Sequence, residues 1–214
     1  MVDFCLLSKA VVDGDYNKTH QLTASALDSG AKPQDIIDQG LQPAMGVVGK
    51  KFSSGEYFLP DILIAARAMT NAMDVLKPLL TQTSAATLGK VVLGTVKGDV
   101  HDIGKNLVSM LLKGAGFEII DLGVDMPDER FVEAAREIKP DILGLSALLT
   151  TTMPSLGTVI KKLEAAGLRS DVKVIVGGAS VTQEYANLVG ADAYAHDAGV
   201  ALEICKKLIK NEAV

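Results

Sequence analysis

Apolar positions in the first eighty residues recur every three or four places, the rhythm of helices that bury one face. Residues 3–12 carry Phe4, Leu7 and Val11, and residues 15–29 carry Leu22, Ala26 and Leu27, with Gly30 as a stop. Lys32-Pro33 opens a third run through Ile36, Ile37, Leu41 and Met45 to about residue 51. Pro43 falls inside it and predicts a kink or a split. Residues 52–60, with Phe52, Phe58, Leu59 and Pro60, read as an apolar loop around a central turn. Residues 61–80 are helical again and rich in Ala and Met. Four helices with short connections predict a small antiparallel bundle over residues 1–80. Residues 81–87 are small and polar and read as a linker.

The pattern changes over residues 88–214. Short, nearly all-apolar runs are predicted as strands at 90–96, 117–122, 141–146, 173–176 and 191–195. Helical runs alternate with them at 104–115, 128–138, 153–166, 181–189 and 197–211. Such strands belong to a parallel sheet covered on both faces. The chain is therefore an α/β protein: a helical bundle followed by a Rossmann-like, flavodoxin-like, doubly wound parallel sheet of five strands. No long-period repeat or low-complexity tract interrupts it.

Composition narrows the function classes. A net charge of −5, a pI near 5.2 and no Trp argue against nucleic-acid binding by a basic surface or a stacking platform. Cys5 and Cys205 lie near opposite ends and form no CxxC or zinc spacing, which suits a reducing cytosol. The N-terminus has neither the basic segment nor the long apolar core of a secretion signal, and no stretch is long enough to span a bilayer. A cytoplasmic protein without membrane attachment is expected.

Parallel strands put all their carboxyl ends on one edge, where three loops gather. The first is Asp99-Val100-His101-Asp102-Ile103-Gly104, the second runs from Ser146 to Thr152, and the third is Gly177-Gly178-Ala179-Ser180. No phosphate-binding GxxxxGK[ST] is present, and Gly94-Thr95-Val96-Lys97-Gly98 does not make a GxGxxG. Imidazole is a common metal ligand, and a carboxylate two residues away can fix its tautomer. His101 with Asp99 is thus a candidate metal site, though a polar loop in which His101 caps a helix would look the same. Thr150, Thr151 and Thr152 could be ordinary capping residues before Met153-Pro154. Asp102 and Asp125 read as solvated loop acids or possible contacts. His20 and His196 read as surface histidines, Met45, Met69 and Met73 as core, and Phe58 as bundle core.

Taken together, Asp99-x-His101-x-x-Gly104, Ser146-x-Leu148 and Gly177-Gly178 resemble the cobalamin-binding signature DxHxxG…SxL…GG. Residues 105–145 and 149–176 separate the three motifs, and both spacings match that family. The helical half, with Val47-Val48-Gly49 leading to Phe52 and then Phe58-Leu59-Pro60, is similar to the cap bundle of cobalamin-dependent methionine synthase. It is also similar to the free-standing corrinoid proteins of methanol and methylamine methyltransferase systems, which are of this size.

This resemblance implies a corrinoid methyl carrier, not complete as an enzyme alone, with cobalamin held base-off and His-on in methylcobalamin or hydroxocobalamin form. Its cobalt would cycle between Co(I) and methyl-Co(III). His101 would be the cobalt ligand, Asp99 its hydrogen-bond partner and Thr152 the next member of the relay, where the family has a serine. Val100, Asp102, Ile103, Gly104, Thr151 and Ala179 would join them around the cofactor. Ser146, Leu148 and Thr150 would line a slot for its nucleotide tail, and Gly177 and Gly178 would let that tail run close to backbone. Phe52 and Leu59 of the bundle would cover the upper face of the corrin, with the linker as hinge. The implied partners are a substrate:corrinoid methyltransferase, a second methyltransferase acting on tetrahydrofolate or coenzyme M, and a reductive activator. The donor stays open among methylamines, methanol, methoxylated aromatics and glycine betaine. The alternatives are a cobalamin-dependent regulator or the small subunit of an adenosylcobalamin mutase.

Overall fold

The computed structural model describes residues 2–80 and 87–212, so most of the predicted linker, residues 81–86, lies outside the described residues. The chain divides into two compact units, Met1–Thr87 with Gly114–Gly116, and Leu88–Lys113 with Phe117–Val214.

The first unit is helical. It contains α1 (Phe4–Val12), α2 (Tyr16–Asp28), α3 (Pro33–Ile36), α4 (Gln42–Ser53) and α5 (Leu59–Leu80). Asp3 and Asp15 cap the first two helices, accepting from the backbone N–H groups of Leu6 and Lys18. The predicted kink takes the form of a π-helical turn, Ile37–Leu41, joining α3 to α4. Pro43 has no N–H and its ring would strike the carbonyl four residues back. The wider turn, in which the Gln42 N–H donates to the Ile37 carbonyl, makes room for it. Leu7, Val11, Ile36, Leu41, Met45, Ile62 and Met69 are all buried.

Three details differ from the sequence reading. Phe52 lies in the last turn of α4, and α5 begins at Leu59 rather than at residue 61. The Asp61 carboxylate accepts the Phe58 N–H at 2.8 Å, and Pro60 suits a first helical turn, so the helix starts earlier. Phe58 is not core: it lies just before α5, off the buried face of the helix, and is 66% exposed.

The second unit contains β1 (Lys90–Thr95), α6 (Ile103–Gly114), β2 (Glu118–Asp121), α7 (Asp128–Ile138), β3 (Ile142–Ser146), α8 (Pro154–Ala165), β4 (Lys173–Gly177), α9 (Gln183–Val189), β5 (Ala193–Ala195) and α10 (Ala198–Ile209). All pairings are parallel, in the order β2-β1-β3-β4-β5. Right-handed crossovers then send α6 to one face and α7, α8 and α9 to the other. Val92, Leu143, Val174 and Val176 pack on the α7–α8 side with Phe131, Leu156, Val159 and Ile160. Val91, Leu93, Ile142 and Ile175 alternate to the opposite side and are equally buried. Cys205 is buried in α10, and burial pushes its thiol up to about 12, so it acts as a small apolar group.

The register decides where the loops emerge. Thr95 of β1, Ser146 of β3, Gly177 of β4 and Ala195 of β5 occupy one rung at the carboxyl edge. The sheet order reverses between β1 and β3, so a crevice opens between their loops, where such sheets bind ligands. Phe131 is the largest fully buried side chain of this core. Phe131→Ala is expected to lower unfolding free energy by about 3–5 kcal/mol, read by urea denaturation.

Candidate functional site

Thr95 ends β1 with a buried hydroxyl that donates to the His101 carbonyl at 3.0 Å. The chain turns at Gly98, with φ +81, and brings Asp99 back beneath the loop, where it is 0% exposed. A carboxylate in that position must be saturated with donors to remain charged. Its Oδ1 accepts the His101 N–H at 3.1 Å and lies 2.7 Å from His101 Nδ1. Its Oδ2 accepts the Leu148 N–H at 2.7 Å, the Leu149 N–H at 3.2 Å and the Thr152 hydroxyl at 2.7 Å. Burial pulls the Asp99 carboxyl upward, but the Thr152, His101 and Leu148 donors outweigh it and hold the group well below the usual carboxylate range.

An ionised Asp99 settles the tautomer of His101. Nδ1 carries a proton and donates it to the carboxylate, which leaves Nε2 as the ring nitrogen facing away from Asp99. The His101 side chain is 46% exposed, and among the described residues no hydrogen bond reaches Nε2. Nε2 is therefore free to ligate. Val100 and Ile103 beside it are 68% and 72% exposed, Leu149 across the crevice is also exposed, and a Cβ on Gly104 would meet nothing within 4 Å. A free imidazole nitrogen ringed by exposed apolar side chains suits a broad, flat metal macrocycle.

The other two loops meet the first from β3 and β4. The Ser180 hydroxyl donates to the Leu148 carbonyl, and the Tyr185 hydroxyl donates to the Met153 carbonyl at 2.9 Å. These grips hold the segment that supplies three donors to Asp99. Gly178 has φ +127, and a Cβ there would stand 1.8 Å from the Ala147 carbonyl oxygen. A Cβ on Gly177 would stand 2.9 Å from the Ala195 carbonyl oxygen. The glycine pair is thus required by the approach of this chain's own strand ends.

Asp99, His101 and Thr152 are in direct contact, and Leu148 joins them through its backbone. Ser146 sits on the shared rung. Asp102 accepts from the Asn106 amide at 2.9 Å. Thr150, Thr151 and Ala179 are exposed at the same edge. Phe52, half-buried, and Leu59, exposed, belong to the helical unit. Sequence reasoning missed Thr95, Tyr185, Lys105 and Asp121. The Lys105 ammonium is buried and lies 2.5 Å from the Asp121 carboxylate, tying α6 to the end of β2. Only Thr95, a lone hydroxyl closing an apolar strand, carried a visible signal.

Family comparison gives this geometry its context. Two families, each described as a B12 binding domain, match residues 89–205 and residues 6–77. The chain belongs to the B12-binding family. The dimethylamine corrinoid protein 1 of Methanosarcina acetivorans is 48% identical over 83% of this chain and 84% of the relative. A cobalamin-binding protein from Desulfitobacterium hafniense superposes with a TM-score of 0.85 at 36% identity, covering 97% of this chain and 99% of that one. The methanol:cobalamin methyltransferase complex of Methanosarcina barkeri matches with a TM-score of 0.81 at 32% identity, covering 98% and 80%. Cobalamin is the cofactor of this B12-binding fold, and the free His101 nitrogen and its apolar rim fit a corrinoid. No helix among the described residues is long and apolar enough to cross a membrane.

Two outcomes are expected of the B12-binding unit. Gly178→Ala should destabilise it by about 3 kcal/mol or more, read by urea denaturation, since backbone must move to admit the methyl. The depressed Asp99 carboxyl adds stability above its unfolded value, and that stability drains away as pH falls below about 4. Asp99→Asn should be less stable at neutral pH, by about 2 kcal/mol, with a flatter decline in acid. Urea midpoints measured from pH 7 to pH 2 check both limbs.

Proposed function

We propose that this protein is a corrinoid methyl carrier that holds cobalamin base-off, with His101 Nε2 as the lower cobalt ligand. The observation that carries the proposal is the half-exposed His101 ring at the β1–β3 crevice, held through Nδ1 by buried Asp99 and with Nε2 unpartnered among the described residues. A corrinoid bound there supplies a cobalt centre able to take up and give up a methyl group.

The chain's own residues then have separate tasks. Asp99 keeps the Nδ1 proton in place, so the imidazole presents a lone pair at constant orientation. Thr152, with the Leu148 and Leu149 N–H groups, keeps Asp99 charged. Moving a proton onto this chain would weaken the push of His101 on the metal, and withdrawing one would strengthen it. Val100, Asp102, Ile103 and Gly104 would border the macrocycle. Ser146, Leu148, Thr150 and Thr151 would meet the nucleotide tail on one side, and Gly177, Gly178 and Ala179 on the other. Residues 1–80 would then be the cap, residues 81–87 the hinge and residues 88–214 the cobalamin-binding domain.

The similar proteins are named for dimethylamine and for methanol. We assign the donor side to a methyltransferase acting on a small methylated amine or alcohol. The acceptor side falls to a second methyltransferase serving tetrahydrofolate or coenzyme M, with a reductive activator restoring oxidised cobalt. On this reading the carrier would work in the cytoplasm, beside such partners.

Purified chain reconstituted with hydroxocobalamin should bind a single corrinoid and, in its cobalt(II) form, show paramagnetic coupling to one histidine nitrogen. His101→Ala, which keeps the backbone N–H on Asp99, should retain the fold at some cost in stability and lose that coupling. Retention of benzimidazole ligation by the wild type, or identical cobalt(II) spectra for the two proteins, would reject the assignment.

A further inference from the structure

The Asp99 relay holds the His101 loop on its β3 side. A second set of contacts holds it from β2. The segment after β2 runs from Asp121 to Met126 and is itself fixed: the Asp121 carboxylate takes the Lys105 ammonium at 2.5 Å and the Gly123 N–H at 2.9 Å. Backbone hydrogen bonds then stitch this segment to the end of β1. The Thr95 N–H donates to the Gly123 carbonyl and the Met126 N–H to the Thr95 carbonyl, both at 3.0 Å, and Met126 bridges to Val96.

Asp125 closes the arrangement. Its N–H donates to the Asp99 carbonyl at 2.8 Å, and its Oδ1 accepts the Gly98 N–H at 2.7 Å. Asp125 therefore grips the peptide units on both sides of the turn that delivers Asp99. It does so from a left-handed backbone, with φ +52, a conformation that non-glycine residues rarely adopt and that Asp and Asn tolerate best. Asp125 is exposed, so neither core packing nor a buried charge accounts for the residue there. As a free surface acid it would need no such backbone.

We infer that Asp125 is a positioning residue for the His101 ligand: its carboxylate and N–H fix the Gly98–Asp99 turn, and so set where the imidazole stands. The inference deepens the proposed function, and its spectroscopic arm rests on His101 as cobalt ligand.

Three variants separate the contributions. Asp125→Asn keeps both an oxygen acceptor and tolerance of the left-handed backbone. Asp125→Gly keeps the backbone and removes the acceptor. Asp125→Ala loses both. Amide hydrogen exchange on the purified full chain, with and without hydroxocobalamin, reads the loop directly. The Gly98 amide should lose protection in the Gly and Ala variants whatever the role. Positioning predicts more: the Asp99 and His101 amides, bonded to the Val96 carbonyl and to Asp99 Oδ1, should also exchange about tenfold faster in both variants. The cobalt(II) spectra of those variants should become a mixture with and without histidine coupling, and Asp125→Asn should stay like the wild type.

Exchange that changes only at Gly98, or Gly and Ala variants whose cobalt(II) spectra match the wild type, would overturn the inference. A wild type without histidine coupling would sink the His101 assignment instead, and exchange at Asp99 and His101 would then decide the role of Asp125 by itself.

Discussion

A fully buried carboxylate is costly unless every lone pair is met, and that requirement organises the sheet unit. Asp99 is met by donors from two different loops: the His101 N–H and ring on one side, and Leu148, Leu149 and Thr152 on the other. The β3 loop cannot drift from the β1 loop without stranding a charge in an apolar interior, a loss of several kcal/mol. The stability of the fold and the orientation of the imidazole are therefore the same set of hydrogen bonds. That coupling pre-organises the imidazole, because its orientation is set by folding itself.

Sheet topology supplies the rest of the geometry. The reversal of strand order between β1 and β3 separates the two crossovers and leaves a crevice, and the common rung of Thr95, Ser146 and Gly177 brings all three motif loops to its mouth. Ser180 and Tyr185 then hold the β3 loop from the β4 side, and Asp125 meets the β1 loop from the β2 side. The imidazole is the one group of the His101–Asp99 pair that is left facing solvent. Its neighbours Val100 and Ile103 would be poor surface residues in a protein with nothing to bind there.

Much of this was legible in the sequence, for identifiable reasons. The apolar strands and their helices lie within two residues of the predicted bounds, because near-continuous apolar runs between glycine-rich and polar turns have few other readings. Pro43 announced a break, though not that a π turn would absorb it. His101, Asp99 and Thr152 were readable from motif order and spacing. What was not legible is contact made through backbone. Leu148 and Leu149 serve Asp99 by their N–H groups, which carry no mark in the side-chain code. Asp125 was left open between a solvated acid and a contact, because exposure and a hydrogen bond to Gly98 are compatible and only the path of the chain shows both. Phe58 was misread as core because hydrophobicity alone does not say on which side of a helix start a residue falls.

Gly178 carries a consequence for tracing this family. Its missing Cβ is demanded by the Ala147 carbonyl, an obligation internal to the protein. A descendant that ceased to use cobalamin would still need that glycine to close its sheet edge, whereas nothing in the folded chain needs the Nε2 of His101. The glycine pair is thus a mark of how the sheet edge closes, and by itself says nothing of whether a cofactor sits there.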